Sequence, residues 1–343
     1  MAILVTGGAG YIGSHMVWAL LDAGEDVVVV DRLSTGFRWA VAPKARFYLG
    51  DIGDKDLLSQ IFVENSIEAI VHFAGSIVVP DSVSAPLEYY ENNTCNTRRL
   101  IAAAVEAGID KIIFSSTAAV YGTPDVALPV TEDTPLRPEN PYGQSKLMSE
   151  VMLRDASAAH DLRHVVLRYF NVAGADIAGR AGQSSLGATH LLKVACEAAL
   201  GKRKTLSVWG TDYDTHDGTG VRDYIHVNDL VDAHLAALTY LREGGPSMTA
   251  NCGYGVGYSV LDVLRAVRQA CGHPFAIEYG PRRPGDAAYI VADSSRARAL
   301  LGWKPRYNDL RLIVESALDW ERRLKEVATP DLEGLRQRLA SGF

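Results

Sequence analysis

The opening of the chain constrains its fold most: "AILVTGGAGYIGSH" is an apolar run followed at once by Gly7, Gly10 and Gly13 in a G-x-x-G-x-x-G spacing. Glycine permits the positive φ of a tight turn. It also lets a phosphate approach the backbone where the next helix presents its N–H groups and partial positive charge. Five further short runs follow, "DVVVVD", "ARFYLGD", "EAIVHFAG", "KIIFSST" and "HVVLRYFN", with amphipathic stretches between them. This alternation predicts an α/β fold with a doubly wound, mostly parallel sheet covered by helices on both faces.

At 343 residues the chain is long for one hydrophobic core, so a large domain carrying a smaller one is expected. A Rossmann-type nucleotide-binding domain is expected over 1–171 plus about 225–250, where the strand pattern holds and a return segment packs back. The Gly-rich and Pro-containing remainder, 172–224 plus 251–343, reads as a smaller α+β substrate-binding lobe. No apolar run reaches the ~20 residues that span a bilayer, and the chain opens directly on a strand, so a soluble, cytoplasmic protein is expected. Cys95, Cys196, Cys252 and Cys271 form no C-x-x-C pair and the nine histidines do not cluster, which predicts free thiols and no metal. A formal charge of -7 argues against nucleic-acid binding but allows local arginine sites for a phosphorylated small molecule.

The chemically suggestive residues fall at the carboxyl ends of the expected strands, the active edge of such a sheet. Asp31 ends the second strand, where a carboxylate can accept from both ribose hydroxyls of an adenosine and would repel a 2'-phosphate. That favours NAD over NADP, although Arg32 beside it works the other way. Asp51 and Ile52, after the third strand, are placed to flank an adenine. Tyr142 and Lys146 stand four apart just after Pro141, so both project from one face at the start of a helix. Y-x-x-x-K also occurs as a plain surface pair. Here it joins a strand-end hydroxyl, Thr117, and a dinucleotide turn. For a tyrosine to act as a base near neutrality its pKa must fall by roughly three units from ~10, about 4 kcal/mol. An adjacent ammonium and the positive nicotinamide ring of an oxidised cofactor could supply that.

The glycine spacing, "HFAG", Thr117 and "PYGQSK" resemble the extended short-chain dehydrogenase/reductase superfamily. "RYFNVAGA", "GTGVRDYIHVNDL" and "RRPGDAAYIVAD" further resemble the UDP-glucose (UDP-galactose) 4-epimerase family through nearly the whole chain. The resemblance implies Tyr142 as catalytic base, Lys146 as its partner and Thr117 at a position usually held by serine. It implies NAD contacts from Gly7, Gly10, Tyr11, Ile12, Gly13, Asp31, Asp51, Ile52, Phe73, Ala74, Gly75, Asn92, Ser115, Tyr142, Lys146 and Tyr169. For the nucleotide sugar it implies Thr117, Asn171, His190, Leu191, Trp209, Arg222, Arg283, Asp286 and Ile290. Two positions depart from the family pattern: Ile77 replaces a frequent lysine, and His190 a frequent asparagine.

Ala118 and Ala119 follow Thr117, where related dehydratases carry an acidic pair and related decarboxylases a glutamate. Alanine moves no proton, so a 4-keto sugar formed here is expected to take its hydride back, and return to the other face gives epimerisation. Arg222 and Arg283 offer planar guanidinium forks for a pyrophosphate. Ile290, four after Asp286, is expected to narrow the pocket at the sugar's C2 substituent. UDP-glucose and UDP-galactose are therefore the expected pair, with UDP-N-acetylglucosamine and UDP-xylose/arabinose pairs left open. A net NAD-dependent nucleotide-sugar oxidoreductase and a non-catalytic NAD sensor are the alternatives from other classes. The resemblance also implies a homodimer, with "YYENNTCNTRRLIAAAVEAG" and the helix after Tyr142 pairing across a two-fold axis.

Overall fold

The structure, a computed structural model, describes residues 1–124, 129–283 and 286–340. In chain order its strands are β1 (Ala2–Thr6), β2 (Asp26–Asp31), β3 (Arg46–Leu49), β4 (Ile67–His72), β5 (Lys111–Thr117), β6 (Arg163–Tyr169), β7 (Asn171–Ala173), β8 (Leu206–Trp209), β9 (Val221–His226), β10 (Met248–Cys252), β11 (Gly257–Ser259), β12 (Ile277–Gly280) and β13 (Tyr289–Ile290). The six expected runs are β1 to β6. They form a seven-stranded sheet in the order β10-β6-β5-β4-β1-β2-β3, with every pairing parallel. The order reverses at β1, which opens a crevice at the carboxyl ends of β1 and β4.

Both faces of the sheet's central strands are buried, which explains why they read as apolar runs, while the edge strand β3 is partly exposed. Ile3, Val5, Val27, Val29, Val71, Ile113 and Leu167 pack under the helices Tyr11–Asp22 and Val227–Arg242. Leu4, Val28, Val30, Ile70, Ile112, Phe114 and Val166 face Lys55–Glu64, Asn96–Glu106 and Pro141–Ala159. A buried Val, Leu or Ile contributes about 1.5–3 kcal/mol, so the two layers fix where the strand ends stand.

After β6 the chain builds a small sheet, β11-β9-β13 with β7 on β9, and a separate β8–β12 pair. A third, smaller cluster lies between these parts, joining Ala118, Val120 and Tyr121 after β5 to Val130, Phe170 and Ala292, with Ile290 packed on it.

Candidate active site

Gly7 has φ +71°, and a Cβ there would lie 2.6 Å from the amide nitrogen of Ala74. The turn after β1 and the loop Phe73–Ala74–Gly75 after β4 therefore touch, and only glycine lets them. Gly10 donates its amide to the Gly7 carbonyl at 3.1 Å and opens the helix Tyr11–Asp22 without any side-chain cap. Its first N–H groups are left for an anion. A Cβ on Gly13 would collide with the Gly7 carbonyl. Ile12 follows Tyr11 in that first turn, and the Tyr11 hydroxyl donates to Gly174 O at 2.6 Å, tying the turn to the chain after β7.

Asp31 accepts the Ala9 amide at 2.9 Å on one oxygen and the Leu33 amide at 2.7 Å on the other. Burial raises its pKa, while these two amides and Arg32 lower it. Each carboxylate oxygen keeps a further lone pair for a ribose hydroxyl. Arg32 turns away: its Nη1 lies 2.7 Å from Asp51 Oδ2. Asp51 Oδ1 also takes the Gly53 amide at 2.7 Å and Asn96 Nδ2 at 2.9 Å, and Ile52 is buried beside it. The cradle a Cβ would fill, the uncapped helix and the carboxylate at the end of β2 together fit a dinucleotide.

Asn140 caps the helix Pro141–Ala159 through a 2.9 Å bond from the Gly143 amide, with Pro141 in its first turn. A Cβ on Gly143 would lie 2.6 Å from Ala119 O, so the helix start presses on the Ala118–Val120 turn. This brings the Tyr142 phenol close to the Thr117 side chain, which lowers its pKa. Thr117 Oγ1 also accepts the Ala119 amide at 3.1 Å. Lys146 is buried, with Nζ donating to Ser115 O at 3.0 Å and lying 5.0 Å from the Phe114 ring centre. A Cβ on Gly75 would stand 3.5 Å from that Nζ. The hydroxyls of Ser115 and Tyr169 meet just beneath.

Burial pushes the Tyr142 phenol up, and the Thr117 side chain pulls it partly down. The Lys146 ammonium on the same helix face donates to the Ser115 carbonyl. Burial brings Lys146 itself down to about 8, against a raising effect from Glu150.

The substrate-side residues lie on the small sheets. Arg222 on β9 is in register with Ile290 on β13, and Asn171 on β7 pairs with Tyr224 two residues along β9. Arg222 Nη1 donates to Val221 O at 2.9 Å, and Arg283 Nε reaches Asp286 Oδ2 at 2.8 Å. Trp209 ends β8, two-fifths exposed, opposite Gly280. Leu191 begins the helix Leu191–Ala199, with His190 before it held by Gln183 at 2.8 Å. Ile77 is exposed. His216, Asp217 and Asp262 bring potential ligand atoms within 4.8 Å of one another, but Asp262 completes the capping box of the helix Val260–Cys271.

Two residues near the site escape sequence reasoning. The helix after β4 runs as a π-helical segment over Tyr90–Cys95, a distortion common at functional sites. There Asn92 reaches Ser76 Oγ at 2.8 Å, while Asn93 takes the Ser76 amide at 2.7 Å and donates to Ser145 Oγ at 3.0 Å. Asn93 thus ties the cofactor loop to the Tyr142 helix. Tyr213 is buried with no hydrogen-bond partner for its hydroxyl among the described residues, close enough to feel Asp286, Arg222 and Arg283. An asparagine pair and an aspartate-flanked tyrosine look like ordinary loop residues in a sequence.

Residues 3–253 match the model of the NAD dependent epimerase/dehydratase family. The chain belongs to that family. It is 56% identical over 324 residues to a UDP-glucose 4-epimerase of Azospirillum brasilense, covering 94% of this chain and 93% of the relative. Its fold superposes with TM-score 0.90 on a UDP-glucose 4-epimerase from Bifidobacterium longum solved with NAD+ and UDP, at 41% identity, covering 94% and 98% of the two chains. A UDP-Glc/GlcNAc 4-epimerase from Campylobacter jejuni is 48% identical with TM-score 0.82, covering 94% and 99%. The glycine turn, Asp31 and the Tyr142–Lys146 helix all lie inside the matched span.

Proposed function

We propose that this protein is an NAD-dependent UDP-sugar 4-epimerase that interconverts UDP-glucose and UDP-galactose. One observation carries the reading: Tyr142 at the start of its helix stands beside Thr117 at the end of β5, and the next two residues are Ala118 and Ala119. When bound, NAD supplies reversible hydride transfer at C4 of the sugar. Gly7, Gly10 and Gly13 would admit its pyrophosphate, and Asp31 its adenosine ribose. Phe73, Ala74, Gly75, Ser115, Lys146 and Tyr169 would line the nicotinamide end.

Tyr142 Oη takes the proton of the sugar's 4-hydroxyl and gives it back on the other face. Thr117 Oγ1 bridges that oxygen and the phenol. Lys146 stabilises the phenolate once the cofactor's positive ring adds to its charge. Ala118 and Ala119 provide no acid or base for elimination, so the 4-keto sugar reverts. Arg222 and Arg283 hold the diphosphate, Asn171, His190, Leu191, Trp209 and Asp286 complete the substrate side, and loose contacts around the sugar let it turn.

Ile290 is half-buried against the small cluster that contains Ala118, Val120 and Tyr121, which supports the hexose pair over N-acetylated sugars. The Campylobacter relative's dual name keeps the N-acetyl pair as the second reading. A two-lobe division near residue 171, with 225–250 returned to the sheet domain, belongs to this reading. So does a homodimer: Leu87, Met148 and Val151 are exposed apolar residues on and beside the Tyr142 helix. A cytoplasmic location is supported by four cysteines that all remain free thiols. Among the described residues no helix is long and apolar enough to cross a membrane. The test is incubation without added NAD of UDP-galactose, UDP-N-acetylgalactosamine and UDP-arabinose, with products resolved by chromatography. Turnover of none of them by NAD-loaded protein would leave the sensor alternative.

A further inference from the structure

Behind the reaction face lies a second, buried polar cluster. Ser116 on β5, Arg168 on β6 and Asn251 on β10 occupy matching register positions on three adjacent strands. Glu150 reaches them from the helix Pro141–Ala159. Arg168 Nη2 holds Glu150 Oε2 at 2.6 Å, Arg168 Nε holds Oε1 at 3.0 Å, and the Ser116 hydroxyl donates to Oε1. Arg168 Nη1 donates to the Tyr121 hydroxyl at 3.1 Å, which donates to Asn251 Oδ1 at 2.7 Å. All five side chains are buried.

A buried ion pair is weak evidence of a stability device, since apolar replacements of such pairs are often neutral or favourable. Its place in the fold gives it another use. Glu150 comes one helical turn after Lys146, so the two share a helix face. Ser116 lies between Ser115, whose carbonyl takes the Lys146 ammonium, and Thr117, which meets Tyr142.

We propose that Glu150 is a positioning residue of the reaction centre: its charge holds the Lys146 ammonium over the Ser115 carbonyl, and its bond from Ser116 locks the Ser115–Thr117 strand end to the helix. The proposal rests on the Tyr142–Lys146 reading given above. The other titratable groups around Lys146 do not duplicate this charge. They are Tyr142 on its own helix, His72 on β4, Tyr169 and Arg168 on β6, and Tyr89 on the neighbouring helical stretch. Burial drives His72 down to about 3, so it is neutral, and burial raises Tyr89 and Tyr169. Arg168 is a cation held by Glu150. Glu150 favours the charged form of Lys146 against the burial that opposes it.

The test compares pH profiles of kcat for UDP-galactose in four NAD-loaded proteins: wild type, Lys146→Met, Glu150→Gln and the double variant Glu150→Gln/Arg168→Met. The double variant leaves no buried charge unpaired and is the one expected to fold best. The alkaline limb should move to lower pH by about one unit in both Glu150 variants, with KM for the UDP-sugar changed less than about twofold. A merely structural pair would lower the rate at every pH and leave the limb in place. A wild-type limb in the folded double variant overturns the proposal alone, provided Lys146→Met has lost its limb. A wild-type profile in Lys146→Met overturns the Tyr142–Lys146 reading, and this proposal with it.

Discussion

The ammonium of Lys146 and the carbonyl of Ser115 are joined by a 3.0 Å hydrogen bond, two residues before the strand ends at Thr117. Helix and strand are thereby pinned at the level where the phenol of Tyr142 meets the threonine hydroxyl. Lys146→Met removes the pin and the charge together. The acid limb of kcat/KM should move to higher pH, because an uncharged neighbour leaves the phenol where burial puts it. Retained NAD, read by absorbance of the purified protein, should fall as well. An unchanged limb in a folded, NAD-loaded variant would reduce the lysine to a cofactor contact.

Tyr142→Phe should lower kcat by several orders of magnitude and leave UDP affinity nearly intact, since it removes a proton acceptor and little packing. Isothermal titration with UDP and a steady-state assay separate the two effects. Retention of more than roughly a tenth of the wild-type rate would exclude the phenol as base.

Gly7→Ala should be among the most damaging changes to cofactor binding. It places a Cβ 2.6 Å from a backbone nitrogen at φ +71°, a conformation that costs a non-glycine residue on the order of 1–3 kcal/mol before the clash is counted. The purified variant should carry no NAD and melt below wild type.

Much of this was legible in the sequence and some was not, for identifiable reasons. β1 to β6 carry apolar runs that announce themselves. The seventh strand, "MTANC" at Met248–Cys252, does not: Thr249 and Asn251 interrupt its apolar run, and Asn251 is buried because the Tyr121 hydroxyl and the Val130 carbonyl supply partners for its side chain. The Asp31 position was legible because it ends a strand, but the pairing of Arg32 with Asp51 depends on two strand ends meeting. Asn93 could not be found because its role comes from a π-helical segment that spacing rules do not foresee.

Five buried histidines make the fold acid-sensitive. Burial lowers His15, His164 and His234 to about 4, and His72 and His226 to about 3. Each is neutral when folded, while the unfolded chain takes up protons below about 6.5. The stability contributed is therefore complete above that pH and is lost as pH falls toward the folded values. The loss reaches about 2 kcal/mol per histidine at about pH 5. Urea midpoints at pH 7 and pH 5 should differ strongly, and equal midpoints would contradict this.

Ile290→Gly should raise kcat/KM for UDP-N-acetylgalactosamine relative to UDP-galactose about tenfold or more, the scale of ~1–3 kcal/mol of steric discrimination. Competition assays with both sugars give the ratio directly. No movement would remove Ile290 as the gate at C2.

In this mechanism the hydride leaving C4 returns to C4. UDP-galactose carrying deuterium at C4, incubated with the enzyme in ordinary water without added NAD, tests it most directly. The expected product is UDP-glucose with the deuterium still at C4 and no net NADH accumulating. Loss of the label to solvent, or NADH rising in step with sugar consumed, would contradict it.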